Sequence, residues 1–268
     1  MNKNSYQIDT FRNAHYEIGL LEKRADNKIE EMLPLLKTSG LTPENRVLEV
    51  GAGTGKRALE IAKFVEHGEV VGIDISESLL KSASENPANK NRKNLSFQSA
   101  DIMSKESLSP LGKFDFVYIR LLLQHLNDPL MALENLQGIL NPKGRIFIED
   151  IDRDWMAVTP SSPEWAELYL KVKARQNERG GDPHVGPKLG PYLSKAGFTD
   201  VRVNLFSVCG ENDQVAEWLT YYVPSFLNHL DAETAVQAGH IIEKMKFQCK
   251  KEPMFFYQTW FQAWGMKA

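Results

Sequence analysis

Along the first half of the chain, short apolar runs alternate with amphipathic stretches, and turn-forming residues separate the two. Arg46-Val-Leu-Glu-Val50 is a β-branched run of the kind buried in parallel strands. Beyond the glycines that follow it, Ala58, Ile61, Ala62 and Val65 fall at i, i+3, i+4 and i+7, one apolar stripe on a helix that Gly68 can end. Glu69-Val-Val-Gly-Ile73 reads as a second strand, and Ser76 as the cap of a helix burying Leu79, Leu80 and Ala83. Leu95-Ser-Phe-Gln-Ser-Ala100 and Phe114-Asp-Phe-Val-Tyr-Ile119 are the third and fourth strands. Asp128-Pro129 starts a helix, with Asp as cap and Pro at the first position, and Leu130, Leu133, Leu136 and Leu140 give its buried face. Asn141-Pro-Lys-Gly144 then turns the chain into a fifth strand, Arg145-Ile-Phe-Ile148. Strands alternating with helices predict a parallel sheet.

On either side of this unit the pattern changes. Leu21, Ala25, Ile29, Met32 and Leu36 stand near helical spacing and predict an N-terminal helix from Ile18 to Lys37. After the fifth strand come a helix from Pro163 to Glu178, a loop at Gly180-Gly-Asp-Pro-His184, a helix from Gly190 to Ala196 and a strand reaching Phe206. The roughly forty residues before the last aromatic strand, Met254 to Phe261, are too many for a hairpin and read as two helices carrying Trp218, Tyr221, Tyr222, Phe226, His229 and Phe247. The expected organisation is an N-terminal helical cap segment at 1–43, a core at 44–206 with a substrate-side insertion at 150–190, a helical lid at 207–252 and a final core strand at 253–268.

Composition narrows the class. A hydrophobic share of 42% and a charged share of 25% suit a packed globular chain. The net charge of −3 and the absence of a broad basic face argue against nucleic acid, leaving Lys90-Asn91-Arg92-Lys93 as a solvated loop. Cys209 and Cys249 lack metal-ligand spacing, so no metal is expected, and free thiols fit a reducing cytoplasm. Met1 to Tyr6 is polar, and no apolar run is long enough for a membrane span.

The chemistry concentrates in Gly51-Ala-Gly-Thr-Gly55, a strand-to-helix turn where missing side chains let backbone approach a ligand. A phosphate-gripping P-loop would need glycine where Val50 stands and Ser or Thr where Arg57 stands. A dinucleotide fingerprint would need glycine at Lys56. Asp74 ends the second strand, where a carboxylate can accept both ribose hydroxyls of an adenosine ligand, and Asp101 ends the third. Glu49, Asp74 and Asp101 thus face one crevice.

With these residues in place, the sequence resembles the class I S-adenosylmethionine-dependent methyltransferases, in their small-molecule branch. Val47 to Gly55 is similar to the family's first motif, Val71-Gly-Ile-Asp-Ile75 to its second and Ser99-Ala-Asp-Ile102 to its third. Phe114 to Ile119 with Leu123-Gln-His-Leu126 looks like the fourth and the one after it. The resemblance implies a doubly wound Rossmann-like α/β sheet of seven strands with the last antiparallel, an N-terminal helix and an inserted helical cap. It also implies S-adenosylmethionine as methyl donor, leaving as S-adenosylhomocysteine. It places Glu49 by the methionine amino end, Gly51 and Gly53 along the methionine moiety and Asp74 at the ribose, with Ala52 and Ile75 also among the cofactor-binding residues. Asp101 and Ile102 then face adenine, and Arg120 lies beside the methionine part. Lys56 and the long helical insertion depart from the family's usual pattern.

Methyl transfer chiefly needs alignment, so a base is optional. His125, just past the fourth strand, either takes a proton or packs locally. Asp150, Asp152, Arg153 and Asp154 are expected to follow the fifth strand, orienting a substrate or solvating a loop. Asp152, Trp155, His184, Trp218, Tyr221 and Tyr222 are the candidate substrate-pocket residues. The expected activity is in-line transfer to an O, N or C nucleophile of a small molecule, by a monomer or homodimer. A non-catalytic S-adenosylmethionine-binding module, a protein methyltransferase and a nicotinamide oxidoreductase stay open. Nucleic-acid methylation is disfavoured, because Tyr118-Ile-Arg-Leu replaces the Asn/Asp-Pro-Pro-aromatic motif.

Overall fold

The protein is described from a computed structural model, which covers residues 18–23, 29–227 and 230–268, with 225 and 226 as backbone only. Met1 to Tyr6, Ala25 and His229 lie outside the described residues.

Seven strands form one sheet: β1 (Arg46–Val50), β2 (Glu69–Asp74), β3 (Leu95–Ser99), β4 (Phe114–Arg120), β5 (Leu140–Thr159), β6 (Phe198–Glu211) and β7 (Phe255–Lys267). Their order is β3-β2-β1-β4-β5-β7-β6. The first five pair in parallel, while β7 runs antiparallel between β5 and β6. The seven-stranded doubly wound sheet with its last strand reversed is the fold the sequence predicts. Strand order turns back at β1, whose neighbours are β2 and β4, so a crevice opens where ligands of such sheets bind.

Alternation along the strands sorts side chains to two faces. Leu48, Val117 and Ile119 join Leu133 and Leu136 of α4 (Pro129–Ile139) and Leu189 and Leu193 of α6 (Leu189–Lys195) in one core. Val47, Phe116 and Tyr118 face Met32 and Leu36 of α1 (Ile29–Thr38) and Ala58, Ile61 and Ala62 of α2 (Lys56–Phe64) in another. Helix α3 (Glu77–Glu85) starts at Ser76, whose hydroxyl accepts the Leu79 N–H at 3.3 Å. Asp128 likewise caps α4 through the Met131 N–H at 2.9 Å.

Several boundaries differ from the sequence pattern; the helix expected to bury Leu140 ends at Ile139, and the fifth strand begins at Leu140 rather than Arg145. Residues 18–23 are helical and α1 begins at Ile29, with the intervening stretch undescribed. The fifth strand continues past Ile148 to Thr159, so Asp150 to Asp154 lie within β5 rather than after it. Its pairing with β7 jumps from Ile151↔Trp260 to Met156↔Gln258, leaving Asp152 to Trp155 as a bulge. Polar residues there find partners inside the fold, which is why a polar run could still be strand. The core boundary expected at 206 falls inside β6, which continues to Glu211, extended by the Ser207–Thr259 hydroxyl contact at 2.8 Å.

The insertion forms α7 (Asn212–Tyr221), a helical turn at Pro224–Leu227 and α8 (Ala232–Gln248). With α5 (Pro163–Glu178) and the far ends of β5 and β7 it builds a third cluster. Trp218 sits at its centre, stacked on Phe256 at 5.4 Å and edge-on to Trp165 at 5.8 Å. Trp218→Ala is expected to cost about 3–5 kcal/mol in denaturant unfolding. A loss below about 1 kcal/mol would show that this cluster does not hold the insertion in place.

Candidate functional site

At the end of β1 the chain reverses sharply. The N–H groups of Gly51 and Ala52 both donate to the Ile73 carbonyl, at 2.8 and 2.9 Å. Gly53 adopts φ 55°, and the space where its Cβ would lie holds nothing within 4 Å. Bare backbone therefore faces open room, as close approach by a ligand requires. A Cβ on Gly55 would collide with the Phe97 ring, so that glycine closes the turn against β3.

Asp74 anchors this turn to the next one. Its Oδ2 accepts the Gly53 N–H at 3.0 Å and its Oδ1 accepts the Ser76 N–H at 2.9 Å. Beside it Ile75 is 54% exposed, an apolar surface at the mouth of the crevice. Asp101 shapes its own turn by accepting the Met103 N–H at 2.9 Å. Ile102 differs from Ile75, because its side chain is buried in the core and its carbonyl accepts from Asn135 at 3.0 Å.

Glu49 is the most unusual residue of the site. Its side chain is buried, and Oε2 has no hydrogen-bond partner among the described residues. Burial pushes its carboxyl from 4.5 up to about 8, with Arg57 and the Ala58 N–H opposing and Asp74 adding to the rise. Arg120, at the end of β4, donates from Nε to Glu149 at 2.9 Å. Burial pulls its guanidinium below the ordinary value, Arg57 adds to that, and Glu149 resists. The guanidinium also lies over the Trp260 ring, 4.7 Å from its centre. The Trp260 Nε1–H is itself buried without a partner among the described residues.

Past β4 a second polar group forms around Gln124. Asp150 accepts the Gln124 N–H and Nε2–H at 3.2 and 2.9 Å. Arg153 donates from Nε to Gln176 at 2.6 Å, and Gln176 donates to the Gln124 carbonyl at 3.0 Å. Burial lifts Asp150 to about 7 against the backbone donors of Ile151, Gln124 and Leu123. His125, the next residue, is buried at the end of the same turn. The β5 bulge points Asp152 and Asp154 toward His184, and donor atoms of these three lie within 4.8 Å of one another, an arrangement able to hold a metal ion. Lys173 already pairs with Asp154.

The other predicted pocket residues are dispersed. Trp155 is 46% exposed, edge-on to Phe261 at 5.4 Å. Trp218 is in the third cluster, with Tyr222 packed against it, and Tyr221 is half-buried on α7. Sequence reasoning missed Glu149, Gln262 and Trp260. An acid following the fifth apolar run, level with the arginine ending the fourth, was the available signal for Glu149. Trp260 was hidden among the aromatics of the last strand.

These features meet a known family. The sequence profile described as "Methyltransferase domain" matches residues 41–187. The chain belongs to the class I S-adenosylmethionine-dependent methyltransferases. It is 29% identical over 184 residues to an uncharacterised methyltransferase of Schizosaccharomyces pombe, covering 66% of this chain and 65% of that protein. Phosphoethanolamine N-methyltransferase 1 of Arabidopsis thaliana is 33% identical over 174 residues, 65% of this chain and 32% of that one. The chain thus matches less than two thirds of either relative's length. A solved methyltransferase candidate from Bacillus halodurans shares the fold with a TM-score of 0.61 at 16% identity, covering 89% of this chain and 99% of that one.

The donor set fits the family's cofactor, S-adenosylmethionine. A buried carboxylate with one oxygen lacking a partner among the described residues suits an ammonium, a neighbouring guanidinium suits a carboxylate, and Asp74 suits vicinal hydroxyls. Asp74→Ala is expected to weaken S-adenosylhomocysteine binding by about 1–3 kcal/mol in calorimetry, and unchanged affinity would remove Asp74 from the site. Glu49 gives a pH signature. Because its folded pKa is raised, its contribution to stability is full below the unfolded value near 4.5 and is lost as pH rises through about 8. Glu49→Gln should therefore gain unfolding free energy relative to the parent as pH rises from about 5 to about 8, by at most roughly 1.4 kcal/mol per pH unit. A difference that stays flat with pH would contradict the burial argument.

Proposed function

We propose that the protein transfers the methyl group of S-adenosylmethionine to an O, N or C nucleophile of a small molecule. The observation that carries this is Glu49 with its orphaned oxygen beside Arg120, a cation acceptor and an anion acceptor where the sheet order reverses. Bound there, S-adenosylmethionine supplies a methyl group on positively charged sulfur, ready for in-line displacement.

What the chain must do is hold and orient. Asp74 takes the ribose, Ile75 and Asp101 flank the adenine, and the bare backbone at Gly51 to Gly53 follows the methionine chain. Arg120 is kept in place by Glu149, so it meets the ligand already oriented. Alignment of this kind supplies roughly 7–11 kcal/mol of barrier reduction. A small acceptor accords with the names of two relatives, the Arabidopsis phosphoethanolamine enzyme and a ubiquinone biosynthesis O-methyltransferase of Coxiella burnetii, 34% identical over 114 residues.

Separate titrations of S-adenosylmethionine, S-adenosylhomocysteine and NAD, followed by label transfer to a panel of phenols, alcohols, amines and carboxylates, test this reading. Binding of the first two and labelling of a panel member are expected. Binding of NAD alone would overturn it, and binding of S-adenosylmethionine with no label transferred would favour a non-catalytic module.

A further inference from the structure

Two imidazoles stand near the turn after β4, and they differ in what surrounds them. His125 is 9% exposed, whereas the His184 side chain is 35% exposed. The Nδ1 of His184 lies 3.3 Å from Asp152 Oδ1 and 3.4 Å from Asp154 Oδ2. Its Nε2 makes no hydrogen bond among the described residues. The Asp152 side chain is only 5% exposed, so its carboxylate cannot turn to water and holds the ring. A carboxylate on Nδ1 fixes the tautomer with hydrogen there and a lone pair on Nε2.

The loop is fastened to the rim at two points and braced by a third bond within it. The Arg153 N–H donates to the Pro183 carbonyl at 2.9 Å and the Asp182 N–H to the Gln124 carbonyl at 2.8 Å. The His184 N–H donates to Asp182 Oδ1 at 2.9 Å. His184 is thereby tied both to the β5 bulge and to the turn that follows Arg120. The charged and titratable groups around the pair are Arg153 and Asp154 on β5, Tyr169 and Lys173 on α5, and Asp182, itself held by Lys188. Lys173 engages Asp154, which leaves Asp152 as the ring's own partner.

We propose that His184, oriented by Asp152, is the base that removes the proton of a hydroxyl or amine acceptor; this rests on the methyl-transfer reading. The acceptor lone pair forms the bond to the methyl carbon, and the carbon–sulfur bond breaks onto sulfur. The acceptor's proton moves to His184 Nε2 and then to water. Asp152 stabilises the imidazolium between those two events.

Long-range 1H–15N NMR of the His184 ring, in the parent and in Asp152→Asn, tests the pair without any acceptor. Hydrogen on Nδ1 in the parent is expected, with that preference lost in the variant. Hydrogen on Nε2 in the parent, or no change in the variant, would overturn the proposal. With an acceptor from the panel, His184→Gln is expected to lower kcat about a hundredfold with S-adenosylhomocysteine affinity unchanged, and Asp152→Asn to lower kcat in the same direction. Parent-like rates in His184→Gln would sink the base role alone. Transfer that requires added Mn2+ or Zn2+, bound through the same three side chains, would replace it with a metal role. Failure to label any acceptor would sink the methyl-transfer reading and the base with it.

Discussion

Taking a carboxylate out of water is expensive unless something replaces the lost hydration, and at Glu49 the chain supplies only part of the replacement. The shortfall sits at the end of β1, between the two neighbours where strand order turns back, and everything around it serves to keep that position dry and in register. Arg120 stands one step further along β4 and is kept in place by Glu149. Glu149 in turn accepts from Gln262 at 2.8 Å, and Gln262 accepts from Asn204 at 2.9 Å. These four residues are directly opposite one another across β4, β5, β7 and β6. The antiparallel strand β7, between β5 and β6, thus carries Gln262, the link through which the row that orients the guanidinium reaches Asn204 on β6.

A second polar group ties the variable part of the protein to this centre. Gln124, Asp150, Arg153 and Gln176 come from the turn after β4, from β5 and from α5, and all four are buried. Buried polar groups of this kind must be nearly fully satisfied to be tolerated, so the arrangement fixes how α5 meets the turn that carries His125. The insertion helices lean on α5 through Trp165 and Trp218. Their packing therefore reaches the turn after β4 through α5.

Much of the core could be read from period and punctuation alone. Val47 to Val50, Ala58 to Val65 and Asp128-Pro129 announce strand, helix and cap by their own chemistry, and the elements lie where they say. The bulge of β5 was not legible, because Asp152-Arg-Asp-Trp155 carries the composition of a loop and becomes strand only through partners distant in sequence, Gln176 and His184 among them. Trp218 and Trp260 show the same limit from the apolar side. Both are aromatics in amphipathic segments, yet one centres a packing cluster and the other lies under Arg120, a difference set by which strand faces them. The cofactor residues Glu49, Asp74 and Arg120 were legible as strand-end charges; that Glu49 is buried and short of a partner was not.

The central claim is that the buried charge of Glu49 is matched by the ligand's ammonium. It is tested most directly by a double-mutant cycle in calorimetry, pairing the parent and Glu49→Gln with S-adenosylhomocysteine and with an analogue lacking its α-amino group. The account predicts a coupling energy of about 1–3 kcal/mol between the two deletions. Strictly additive effects, within about 0.3 kcal/mol, would contradict it.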